Sequence, residues 1–186
     1  MTERANLELE LSEAKMRALV EAALARVLDH LGVVGRAPSN PTEGGAALAR
    51  RLAEPLPERG LDAEAVLGQL FDEALPCSYA THAPGYLAYI PGGGLFHAAV
   101  ADLIADAVNR YVGVWLAAPG LVQLEANAVR WLCQIVGYPA GAFGVLTTGG
   151  SLATFSAVVT ARVARLPENF LSGTLYASDQ VHHSLA

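Results

Sequence analysis

Two short stretches carry residue types that could do chemistry. The loop Thr147-Thr148-Gly149-Gly150-Ser151 lies between an apolar run, Phe143–Leu146, and a run of helical composition, Ser151–Arg165. A glycine-rich turn that opens a helix leaves backbone N–H groups free and aims the positive end of the helix dipole outward, which is how a folded chain binds an anion. Ser151 is placed both to cap that helix and to offer a hydroxyl to a phosphate oxygen. Taken alone, the loop reads equally well as a tight turn with a serine cap. It has neither the lysine of GxxxxGK[ST] nor the third glycine of a dinucleotide loop, and it is not GxSxG, so Ser151 is a poor hydrolase nucleophile. The second stretch, SDQVHHSL, follows the apolar run Thr174–Ala177, where open α/β sheets place their ligands. Adjacent histidines do not converge on a helix, and no carboxylate–histidine spacing accompanies His182 and His183, so no metal site is expected. A flat imidazole there stacks on an aromatic ligand or satisfies its own loop backbone.

The elements that must position these stretches follow from periodicity and breakers. Ser12 caps a helix expected to run to about Leu31, with Gly32 stopping it. GRAPSNPTEGG is a loop, a short helix follows near Ala46–Ala53, and Asp62 caps another to about Ala74. A helix is expected over Leu95–Arg110, and Pro119 sits well as the first residue of the next, which runs to Val136 with Gly137 ending it. Phe143–Leu146 and Thr174–Ala177 read as short buried strands around the helix Ser151–Arg165, and Ser178 or Asp179 caps a helix beginning after the second. Strand, loop, helix and strand in that order, with apolar strands, indicate an α/β layer with a parallel or mixed sheet.

Charge divides the 186 residues. Of 30 charged side chains, 21 fall in residues 1–75 and only nine in 76–186. The first part reads as exposed amphipathic helices with too little core of their own, the second as the buried start of a larger α/β domain. Trp115 and Trp131 are expected in that core. The uncharged run of 31 residues between Arg130 and Arg162 is long enough for a bilayer, but Gly137, Pro139, Gly141, Gly144, Gly149 and Gly150 break it, so it is not read as a span. A net charge of −6 excludes a generally basic nucleic-acid or membrane-surface protein. Cys77 and Cys133 form neither a disulfide framework nor a metal spacing, no secretory apolar segment opens the chain, and a cytoplasmic protein is the expectation.

Four segments in order carry a resemblance: HAPGYLAYIP from His82, WLAAPGLVQLEANAVRWL from Trp115, LTTGGSLA from Leu146 and YASDQVHHS from Tyr176. Over about 100 residues they resemble the group II pyridoxal-phosphate-dependent decarboxylases, the family of aromatic-amino-acid and glutamate decarboxylases. Leu152 stands where members often have an acidic residue, and His183 where serine is more usual. The resemblance implies a partial fold-type I large domain, α/β, over residues 76–186, preceded by an N-terminal helical segment, residues 1–75, that packs in a homodimer. It implies pyridoxal 5'-phosphate as cofactor, its phosphate held by Gly150 and Ser151 and its ring stacked by His182, the catalytic candidate. Tyr89, Ile90 and Pro91 would line the substrate side chain's pocket, with core packing as the alternative, and Glu125 would hold a buried structural position. His183 is expected on a helix surface.

The implied reaction is loss of carbon dioxide from an L-amino acid to give the amine. Aromatic substrates are favoured, because no basic residue lies between Cys77 and Asn109 to meet an acidic side chain. One requirement is unmet. Such enzymes hold the cofactor through a lysine and keep its ring electron-withdrawing with a carboxylate. Lys15 is the sole lysine and lies in the charged first helix. By the resemblance, both groups lie C-terminal to SDQ–His, so a longer enzyme is expected. Two alternatives stay open: another fold-type I pyridoxal enzyme (aldolase, lyase or aminotransferase), or a lysine-less chain acting only in dimerisation or binding.

Overall fold

The structure is a computed structural model that describes residues 11–90 and 92–185. It divides into two units, Met1–Ile104 and Ala105–Ala186. The boundary falls within one helix, α4 (Phe96–Val108).

In the first unit, α1 (Glu13–Val34) starts at Ser12, whose hydroxyl accepts the Lys15 N–H at 3.4 Å. The helix does not stop at Gly32; it runs on to Val34, with Gly35 at its C-cap. A glycine inside a helix costs only about 1 kcal/mol relative to alanine, which the flanking turns outweigh. After α2 (Gly45–Leu52), Asp62 caps α3 (Ala63–Gly68) by accepting the Ala65 N–H at 2.8 Å. The expected helix to Ala74 is present, but its second half, Gln69–Ala74, is wound as a π-helix. That winding faces α1. Arg26 reaches Asp72 at 3.0 Å and Glu64 at 3.0 Å, and the His30 ring meets Phe71 edge-on, centroids 6.3 Å apart. The Glu64 hydrogen bond and the nearby Asp72 charge hold the Arg26 guanidinium above its ordinary pKa. Arg51 pairs with Glu73 beside them.

In the second unit, α5 (Pro119–Ile135) begins on its proline and ends in a Schellman turn. Gly137 adopts φ 79°, the Tyr138 N–H reaches the Cys133 carbonyl at 2.9 Å, and the Gly137 N–H reaches Gln134 at 3.1 Å. The chain then passes over α5, where a Cβ on Gly144 would lie 3.4 Å from Val129 Cγ1. α6 (Gly150–Arg165) starts within one residue of expectation, and Arg162 lies 4.4 Å over the Phe170 ring.

The expected strands do not form: among the described residues there is none, and Phe143–Leu146 and Thr174–Ala177 are irregular. A strand exists only by pairing with another, and neither run finds a partner ladder. The expected burial fails for the same reason. Val129 (6% exposed) and Ala83 (4%) are the buried apolar residues among those described, while Trp115, Trp131 and Glu125 are exposed. Many large apolar side chains lie open, Leu87 (95%), Leu171 (89%) and Leu116 (85%) among them. No helix among the described residues is long and apolar enough to cross a membrane.

Candidate functional site

The N-terminus of α6 leaves its first N–H groups without internal acceptors. Gly149 is its N-cap and no side chain bonds the cap, so the expectation that Ser151 caps the helix is not met; Ser151 lies one residue inside it. The first intrahelical bond runs from the Ala153 N–H to the Gly149 carbonyl at 3.0 Å. The N–H groups of Gly150, Ser151 and Leu152 precede it and have no helical acceptor. The Thr147 hydroxyl donates to the same Gly149 carbonyl at 3.0 Å and ties the loop to the helix start. Gly150 and Ser151 are exposed, and added Cβ atoms at Gly149 and Gly150 would meet nothing within 4 Å. Three aligned N–H donors, an adjacent hydroxyl and open space above them match the needs of a phosphate monoester.

His182 lies in a turn rather than a helix. Ser178 does not cap a helix; its hydroxyl accepts the Gln180 N–H at 3.3 Å and its carbonyl accepts the Val181 N–H at 3.2 Å. The Ser184 N–H donates to His182 Nδ1 at 3.2 Å, with the Ser184 hydroxyl 2.9 Å from the same nitrogen. With Nδ1 accepting, the neutral ring carries its proton on Nε2. The ring lies with its centroid 4.0 Å from that of His183, the planes tilted by 35°; His183 shares the turn and is likewise exposed. Among the described residues no three His, Cys, Asp or Glu side chains gather as metal ligands.

The first unit holds the other candidates. Tyr89 (80% exposed) and Ile90 (100%) are not core residues, and both have left-handed backbones, φ 58° and 68°. Pro91 lies outside the described residues. Close by is a side chain to which the sequence pattern assigned no role: His82 Nε2 accepts the Gly94 N–H at 2.7 Å. A signal for it was present, a histidine followed ten to twelve residues on by three consecutive glycines. Lys15 is exposed on α1.

Residues 46–186 match the pyridoxal-dependent decarboxylase conserved domain. Among curated proteins, the chain is 32% identical over 179 residues to an aromatic-L-amino-acid decarboxylase of Bacillus atrophaeus, covering 95% of this chain and 37% of that protein. It is 26% identical over 152 residues to a tyrosine decarboxylase of Papaver somniferum, covering 74% of this chain and 30% of the relative. The chain thus spans about a third of the length of these relatives. Solved structures share the fold. Catharanthus roseus tryptophan decarboxylase matches with TM-score 0.73 at 19% identity, over 83% of this chain and 34% of its own. Rhodiola rosea 4-hydroxyphenylacetaldehyde synthase matches with TM-score 0.76 at 18% identity, over 94% and 40%. The match covers most of the chain, including the α6 loop and the histidine turn, and the chain belongs to the pyridoxal-dependent decarboxylase family.

Proposed function

We propose that the whole protein removes the α-carboxylate of an L-amino acid, with aromatic side chains favoured, as carbon dioxide and leaves the amine. The single observation that carries this is the donor set at the start of α6, free of internal acceptors and set within the family match. In this reading the N–H groups of Gly150 and Ser151 and the Ser151 hydroxyl hold the phosphate of pyridoxal 5'-phosphate. His182 lays its ring against the cofactor's, with Nδ1 held by Ser184. Tyr89, Ile90 and Pro91 form the wall that takes the substrate side chain and excludes water from it. The bound cofactor supplies the electron sink for loss of the carboxylate. The lysine that such a cofactor needs comes from outside these 186 residues, since Lys15 on α1 is the one lysine among them, and the resemblance places the carboxylate with it.

The same reading supplies what covers the open faces. Phe143–Leu146 and Thr174–Ala177 join the sheet of an α/β fold-type I large domain, of which residues 76–186 are the first part. Residues 1–75 pack in a homodimer, as their exposed apolar side chains favour. We place the protein in the cytoplasm, in keeping with its two free cysteines.

The test is to incubate the full-length protein and pyridoxal 5'-phosphate with L-tyrosine or L-tryptophan, measuring carbon dioxide and the organic product together. Equal amounts of carbon dioxide and amine are expected. A racemised or transaminated product without carbon dioxide rejects decarboxylation, and no turnover of any amino acid rejects the enzyme.

A further inference from the structure

We propose that His82 is a positioning residue for substrate binding: its imidazole pins the chain just beyond Tyr89 and Ile90 and so sets the wall of the side-chain pocket. This rests on the assignment of that segment to the substrate. The segment's own side chains cannot fix its shape. Tyr89 and Ile90 are 80% and 100% exposed, yet both hold left-handed backbones, which a β-branched isoleucine adopts only where its surroundings impose it. Within these residues, the contacts that hold the segment lie at its two ends.

The N-terminal end is anchored in the first unit. Ala83 is buried, the Tyr86 N–H reaches the Ala83 carbonyl at 3.0 Å, and the Ala80 N–H reaches the Ser39 carbonyl at 3.1 Å. The C-terminal end is Gly92-Gly93-Gly94, a sequence with no stiffness of its own. It is held by the 2.7 Å bond from the Gly94 N–H to His82 Nε2. That bond needs the Nε2 lone pair, which only the neutral ring with its proton on Nδ1 offers. The fit is close enough to dictate sequence. A Cβ on Gly93 would lie 2.9 Å from His82 Cδ2, 3.2 Å from Nε2 and 3.3 Å from Cγ, whereas one on Gly92 would meet nothing within 4 Å. The ring is rigid, so an alanine at position 93 moves either the imidazole or the glycine strand.

The experiment uses the full-length holoenzyme with two readouts: KM and kcat for the aromatic amino acid, and the rate of chymotrypsin cutting after Leu87 and Tyr89, read by mass. His82→Ala is expected to raise KM about 10-fold, the size of one lost hydrogen bond, with kcat changed by less than about twofold, and to speed cutting. His82→Gln, which keeps an acceptor at nearly the same reach, recovers much of both losses. Gly93→Ala follows His82→Ala, and Gly92→Ala follows the parent protein. Unchanged cutting in His82→Ala overturns the pin. Tyr89→Ala separates the two levels of argument. If it raises KM and His82→Ala does not, the positioning role fails alone. If Tyr89→Ala leaves KM unaltered, the substrate assignment fails and the positioning role falls with it.

Discussion

The proposed phosphate cradle can be taken apart one donor at a time, because the Ser151 hydroxyl and the Gly150 N–H are removed by separate substitutions. Ser151→Ala removes the hydroxyl and leaves every N–H in place. Gly150→Pro removes one N–H and leaves the helix intact, since proline is favoured at a first helical position, as Pro119 shows at the start of α5. The residue before it, Gly149, is extended at ψ 171°, as a residue preceding proline must be. A hydrogen bond to a charged group contributes about 1.5–3 kcal/mol. Loss of either donor should therefore weaken binding of pyridoxal 5'-phosphate by roughly 10- to 150-fold at 1.4 kcal/mol per decade. Pyridoxal without its phosphate provides the internal control, and neither variant should alter its affinity. The assay is an absorbance titration of the full-length protein with each compound, with far-ultraviolet circular dichroism to confirm that the helix persists. Equal weakening toward both compounds, or none toward the phosphorylated one, would refute the assignment of Gly150 and Ser151 to the phosphate.

Two further measurements bear on the frame around the site. Gly32 lies inside α1 with nothing within 4 Å of an added Cβ, so Gly32→Ala should raise stability by about 0.5–1 kcal/mol; Gly137, at φ 79°, has equal space, so Gly137→Ala should lower it by about 1–2 kcal/mol. Opposite shifts in thermal midpoint would confirm that backbone conformation, not packing, decides both, and shifts of one sign would contradict it. Val145 is 73% exposed here; in the full-length protein its amide should exchange slowly with solvent, as a strand residue does, and in residues 1–186 alone it should exchange quickly. Equal exchange in both would remove the proposed sheet.

The elements that could be read from sequence were those encoded locally. α5 announces itself by Pro119 at its start, apolar residues at three-to-four spacing and Gly137 past its end; each signal acts within one or two turns, so the helix forms as expected. The Asp62 cap is likewise local, and the structure keeps it at 2.8 Å. What escaped was non-local. The π-helical turn at Gln69–Ala74 lies where Asp72 and Phe71 meet Arg26 and His30 of α1, and no pattern within that turn announces it. The two apolar runs read as strands from composition, but composition specifies a face to be buried, not the strand that will lie beside it.

The candidate site divides along the same line. The glycine-rich start of α6 was legible within one residue because a helix N-terminus is a short-range construction, whereas the turn that holds His182 through Ser184 replaces an expected helix. The His82–Gly94 bond spans twelve residues and was not legible, although both of its ends stand in the sequence. Its logic is that of a clamp. Glycines at 93 and 94 give the chain freedom, and the imidazole takes that freedom away at one point. Tyr89 and Ile90, side by side with left-handed backbones, precede that point by five and four residues. On the reading proposed above, the segment's chemistry falls to Tyr89 and Ile90, and its shape to a histidine seven residues before the first of them.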